Sequence, residues 1–268
     1  MKYSGNLIKM NTVYNNPVEY TLNIKGKQIC MNELLNQTIQ VDYLHEINCI
    51  HCGQKTNKSF FQGYCYSCFT LLPQADQSVV NPELNQSHLG ISKDMEWARE
   101  NDLIDHYVYL AFTSDLKVGV TRHTQIPTRW IDQGAEFAIK FAKTPYRQLA
   151  GLIEVALKPY LKDKTNWRKM LAGNTHETPD MLSFKNQYAK YLPEELQQYI
   201  SNENEVFKIE YPIISFPEKV NSINLDKTAS FSGTLKGIKG QYLIFDYNSV
   251  FNVRKHNGYK IAFITDLE

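Results

Sequence analysis

The chain has 268 residues, 43% of them hydrophobic and 12% aromatic, enough to bury a sizeable core and to fill two modest domains. A net charge of +1 points to neither nucleic acid nor a membrane surface. No apolar run approaches the ~18 residues of a membrane-spanning helix. The opening MKYSGNLIKMNTVYNN lacks the apolar stretch of a secretory signal, so a cytoplasmic protein with no membrane partner is expected.

Residues 1–44 read as β: VEYTLNI and IQVDYL alternate and are rich in β-branched and aromatic residues. Cys30 falls in an apparent strand and is read as a small buried hydrophobe. Residues 45–70 carry Cys49, Cys52, Cys65 and Cys68, two Cys-x2-Cys pairs twelve residues apart. Four thiolates so spaced suit a closed tetrahedral Zn²⁺ site, with an iron–sulfur cluster as the lesser alternative. His51 is read as a bystander, and Gly53 as the permissive residue of a tight knuckle. The loop GQKTNKSFFQGY has the length of a two-stranded ribbon. Four thiolates leave no position for substrate, so the metal is expected to staple the fold. The crowded Phe60, Phe61, Tyr64, Tyr66 and Phe69 are expected to pack the ribbon, the other reading being stacked bases.

Residues 71–105 are acidic, with seven carboxylates against Lys93 and Arg99, and read as an irregular linker before a short helix near Met95–Asn101. The next stretch, 106–170, reverses the balance, with eleven basic residues against five acidic ones. A hairpin is predicted over HYVYLAF and LKVGVT. A helix beginning near Ile126–Pro127 and running through RWIDQGAEF should follow, then a second over about 145–161. Gly134 has the place of a helix C′ residue, and Thr165-Asn166 that of an N-cap. Trp130 reads as core. Residues 179–204 form one more helix, interrupted at Pro193, and 205–268 return to short strands punctuated by Gly233, Gly237, Gly240 and Gly258. With both ends β, the two are expected to join into one sheet or small barrel. Such barrels either bind oligonucleotides or serve as plain accessory domains.

The order Tyr107-Val108-Tyr109, Lys117-Val118-Gly119, Arg129-Trp130, Glu154, Asn166 resembles the GIY-YIG nuclease domain over about a quarter of the chain. The resemblance implies a metal-dependent enzyme that cleaves phosphodiester bonds in DNA or RNA. Arg129 would stabilise the phosphate, Glu154 would hold Mg²⁺ or Mn²⁺, and Tyr109 would be the base or its relay. Two name residues depart from the family: Tyr107 falls where a glycine is usual and Lys117 where the second tyrosine is, so Lys117 needs a depressed pKa to act as base. Arg122, His123, Arg147, Asn166 and Arg168 are the candidates to contact nucleic acid. Apolar neighbours around Glu154 require a partner for its carboxylate, either a metal or Arg147 two turns earlier. The longer strings KVGVTRHTQIPTRWIDQGA and DKTNWRKML resemble an uncharacterised bacterial family known only as a domain of unknown function.

The expected fold is thus α+β. A GIY-YIG-like unit (106–178) is set within a β-rich module formed by the N- and C-terminal segments, with the zinc ribbon attached. The rival to a nuclease is a non-catalytic zinc-containing nucleic-acid-binding protein on the same scaffold, or an adaptor for other proteins.

Overall fold

Alternation sets the central strand of the first unit. In Thr38–Asn48 the side chains of Ile39 and Val41 are buried while Gln40 and Asp42 are not, the period of two that gives a strand one wet and one dry face. The computed structural model describes residues 1–161, 166–173 and 178–266, and it is a mixed α+β structure. The chain divides into two units: Met1–Thr70 with Leu171–Gly173 and Glu210–Glu268, and Leu71–Met170 with Asn174–Ile209.

In the first unit Thr38–Asn48 pairs antiparallel with Tyr259–Thr265 on one side and with Ser230–Lys239 on the other. Lys2–Asn6 adds beyond Tyr259–Thr265. Past Ser230–Lys239 the sheet continues through Tyr242–Phe245 and Ser249–Asn252 to Asn221–Ile223. Strands from the two ends of the sequence therefore share one sheet. The first unit also holds a three-stranded sheet of Asn11–Val13, Glu19–Ile24 and Lys27–Cys30, turning at Lys25-Gly26 with positive φ at both residues. Cys30 is exposed at the end of its strand, so the expectation of a buried hydrophobe is corrected.

The second unit is built on a four-stranded antiparallel sheet in the order Val206–Lys208, Phe137–Thr144, His106–Phe112, Leu116–Arg122. The hairpin forms over HYVYLAF and LKVGVT, as expected. The helix expected to run through RWIDQGAEF is shorter than that: it stops after Thr128–Asp132, with Gly134 at φ +72 as its C′ residue, and FAIKFAKT forms the strand Phe137–Thr144. Helix Arg147–Leu157 packs Leu149, Ala150, Ile153 and Leu157 against Val108, Leu110 and Val118. Tyr109 alternates to the opposite side of its strand and meets buried Trp130 edge-on, with ring centroids 6.0 Å apart. Past this sheet the helix read over 179–204 forms as two pieces, Met181–Ala189 and Glu194–Gln197, with Pro193 capping the second.

The acidic segment 71–105 folds as four short 3₁₀ turns and the helix Met95–Asn101, capped by Asp94. Its turn Pro82–Leu84 lies so close to helix Arg147–Leu157 that a Cβ on Gly151 would stand 2.2 Å from the Glu83 nitrogen. Arg147 binds the same segment, donating to the carbonyls of Ser78 (3.1 Å) and Val79 (2.9 Å). No helix among the described residues is long and apolar enough to cross a membrane.

Candidate functional site

Two clusters of reactive side chains stand out, one in each unit. In the first, the Sγ atoms of Cys49, Cys52, Cys65 and Cys68 all lie within 4.8 Å of one another. The first pair sits on a tight turn: Cys49 N donates to Gln54 O, Gly53 N donates to Cys49 O, and Gly53 has φ +73. The second pair does not sit on a matching ribbon. Cys65 precedes helix Tyr66–Leu71 and Cys68 lies in its first turn. Between the pairs, Lys55–Thr56 pairs back onto Ile47 and Asn48, and Phe60 bridges to Tyr64.

Burial opposes ionisation of the Cys49 thiol, but the N–H groups of Cys52, Cys65 and His51 outweigh it and bring it down to about 6. Burial, and hydrogen bonding to the other three cysteines, push Cys68 up to about 12. Four negative sulfurs so close together need a cation among them, and four soft donors at this spacing fit Zn²⁺ with no ligand position left over. The surrounding rings pack on one another: Phe60 stacks on Phe69 at 5.8 Å and meets Tyr66 at 5.5 Å.

In the second unit the sheet and the end of helix Thr128–Asp132 bring three side chains into contact. The Tyr109 hydroxyl donates to Gln133 Oε1 at 3.0 Å, and Lys117 Nζ donates to the same oxygen. Arg129, one turn before Gln133, acts on Tyr109 and Lys117 through its charge. Gly119, paired with Tyr109 across the hairpin, leaves the space the phenol fills: a Cβ there would stand 2.5 Å from the hydroxyl. Tyr109 is 1% exposed and Lys117 5%. Burial lowers Lys117 to about 7, helped by Arg129 and opposed by Glu154. Burial raises the Tyr109 phenol, against Arg129 and Gln133, so it stays protonated at neutral pH.

Glu154 joins this cluster through its charge, which acts on Lys117, Tyr109 and Arg147, while its carboxylate stands 3.7 Å from Lys158 Nζ on its own helix. Gln133 is the member that sequence reasoning missed, because one amide at a helix end carries no signal until its partners are known.

The residues expected to touch nucleic acid are scattered. Besides its backbone partners, Arg147 lies 3.9 Å from buried Asp102, whose other oxygen accepts from Asn85 and Ser87. Its guanidinium is therefore engaged within the protein, not turned to a ligand. Arg122 donates to Asn101, and a ring nitrogen of His123 lies 3.2 Å from the Asp105 carbonyl. Asn166 caps helix Trp167–Leu171, its Oδ1 accepting from Lys169 N, and Arg168 lies over the Trp167 ring. Thr165, the other half of that expected cap, lies outside the described residues. The acidic and basic segments also neutralise each other directly, Asp105 pairing with Lys143 at 2.7 Å.

The family described as "Protein of unknown function (DUF2797)" matches residues 36–261, in keeping with the uncharacterised family that the sequence resembles. No curated protein and no solved structure matches the chain.

Proposed function

The chain belongs to the DUF2797 family, and we propose that it is a zinc-containing protein that cleaves phosphodiester bonds in nucleic acid at the cluster of Tyr109, Lys117, Arg129 and Glu154. One observation carries this reading. Of the residues that the GIY-YIG resemblance selects from separate parts of the sequence, Tyr109 and Lys117 meet on Gln133, and the charges of Arg129 and Glu154 act on both. The strand–strand–helix–strand–helix order from His106 to Leu157 supports it.

Each residue has a chemical task. Arg129 offers a guanidinium to the charge that gathers on a phosphodiester in its transition state. Lys117, lowered to about 7, is partly neutral at physiological pH and can take a proton from an attacking water. Tyr109 stays protonated and holds the Gln133 amide that orients Lys117. Glu154, 3.7 Å from Lys158, is the carboxylate that would hold a divalent ion keeping most of its waters. Bound there, Mg²⁺ or Mn²⁺ would supply Lewis-acid polarisation of the phosphate. The four thiolates hold Zn²⁺ as a structural staple.

The burial of Tyr109 and Lys117 favours a second reading, in which the cluster is a polar core and the protein binds nucleic acid without cutting it. Incubating zinc-loaded protein with single-stranded, duplex and branched DNA and with RNA, in Mg²⁺ or Mn²⁺, separates the two. Cleavage by the wild type, lost in both Glu154→Ala and Arg129→Ala, is the expected result. Salt-sensitive binding without cleavage, surviving Glu154→Ala, would establish the second reading. Neither cleavage nor binding would sink both and point to protein partners.

A further inference from the structure

A cleft of about 440 Å³ opens in the first unit beside the cysteine cluster. One wall carries Lys58 and Gln62, from the loop between Cys52 and Cys65. The other carries Asp226, Arg254, Lys255 and Tyr259. Three cations therefore face a single carboxylate, and that carboxylate accepts a hydrogen bond from the Tyr259 hydroxyl at 2.9 Å. Lys58 and Lys255 are exposed, so their charge is available to a ligand.

The walls are tied together, which makes the cleft a built feature. Asn257 Nδ2 donates to the Gln62 carbonyl at 3.0 Å, and the Asn257 carbonyl accepts from Ser59 Oγ at 3.5 Å. Next to it, Gly258 O accepts from Asn48 N, and a Cβ on Gly258 would stand 2.4 Å from Asn48 O. Asn257 is 7% exposed, and its Oδ1 is buried with no hydrogen-bond partner. A line of rings leads away from the cleft: Tyr259 to Tyr43 at 5.2 Å, and Tyr43 to exposed His45 at 5.0 Å.

We propose that this cleft binds phosphate groups of a single-stranded nucleic acid, with Lys58, Arg254 and Lys255 as the residues that hold them. Cations along a groove with aromatic rings beside it are the means by which a strand is held without regard to sequence. The thiolate cluster then has a functional consequence, because it fixes the wall that carries Lys58. The proposal draws on the previous reading only for the source of the phosphate. It requires no chemistry at Glu154.

The test is fluorescence anisotropy of short labelled single-stranded DNA and RNA on the zinc-loaded full chain, across a salt series. Arg254→Ala/Lys255→Ala should weaken binding about tenfold or more and flatten the salt dependence by about one in slope for each cation removed. Lys255→Arg should restore most of the loss for that position, and Lys27→Ala, on the three-stranded sheet, should bind as wild type does. The effect of the double variant is read without a divalent cation and needs no cleavage, so failure of the nuclease reading leaves this result standing. Unlabelled nucleotide and inorganic pyrophosphate serve as competitors. If they bind tightly and the oligonucleotides do not, the strand is overturned as the source, in favour of a free nucleotide. Oligonucleotide binding unchanged by the double variant, with the fold intact by circular dichroism, would overturn the site itself.

Discussion

The cysteine cluster and the cluster around Gln133 solve opposite electrostatic problems. Four like groups drawn from twenty consecutive residues repel one another once ionised, and hold together only with a cation supplied from outside. Around Gln133 the charges are mixed. A phenol and an ammonium share one amide oxygen, and the charges of a guanidinium and a carboxylate act on both. The first cluster depends on a ligand for its stability. The second depends on its neighbours' packing, and what it retains is an amine forced toward neutrality.

Removing the metal should break this contrast most strongly. Structural zinc in small sites is worth on the order of 10 kcal/mol. A strong chelator or Cys65→Ser should therefore release one zinc per chain and markedly lower the Tm. Purified protein without stoichiometric zinc, or a Tm indifferent to the chelator, would refute the staple.

The buried amine gives the next largest effect, and its sign is fixed by its direction. Lys117 falls from 10.5 to about 7 on folding, so between those values the unfolded chain holds the extra proton. Stability should rise with pH across that window, by up to roughly 4–5 kcal/mol. In Lys117→Met the rise should shrink by that amount, read from chemical denaturation at pH ~7 and pH ~10. An equal slope in both proteins would mean that Lys117 keeps its charge in the fold.

The smallest effect concerns the shared acceptor. Gln133→Leu leaves the Tyr109 hydroxyl and the Lys117 ammonium without their common partner and should cost about 1–3 kcal/mol. Gln133→Glu keeps an acceptor for both and adds a negative charge, so Lys117 should titrate higher and the pH slope should flatten. A Gln133→Leu protein as stable as wild type would show that the oxygen is dispensable.

The two clusters were also unequally legible. Cys-x2-Cys pairs announce themselves because their ligands are close in sequence and chemically unlike their surroundings. Tyr109, Lys117, Arg129 and Glu154 could be selected only through a family resemblance, since nothing local says that they meet. Phe137–Thr144 was missed because both sides of the strand are largely covered: Ala138, Ile139, Phe141 and Ala142 are all buried, which erases the alternation that marks a one-sided strand. Arg147 was read by its net charge, whereas its partners Ser78, Val79 and Asp102 lie at least 45 positions earlier in the chain. Short-range signals such as Gly134 ending its helix and Asn166 capping another survived, because each is decided within a few residues of backbone.

The pairing of Thr38–Asn48 with Ser230–Lys239 has a consequence for the order of events at the ribosome. Asp42 and Ser230 are 188 residues apart, a gap that takes about 10–40 s to synthesise at typical elongation rates. During that interval the strand is made but Ser230–Lys239 and Tyr259–Thr265, which flank it, are not, while the sheet of the second unit, from His106 to Lys208, emerges complete. Zinc captured by the early cysteines would anchor one end of the waiting strand, through Cys49, long before the residues that flank it exist.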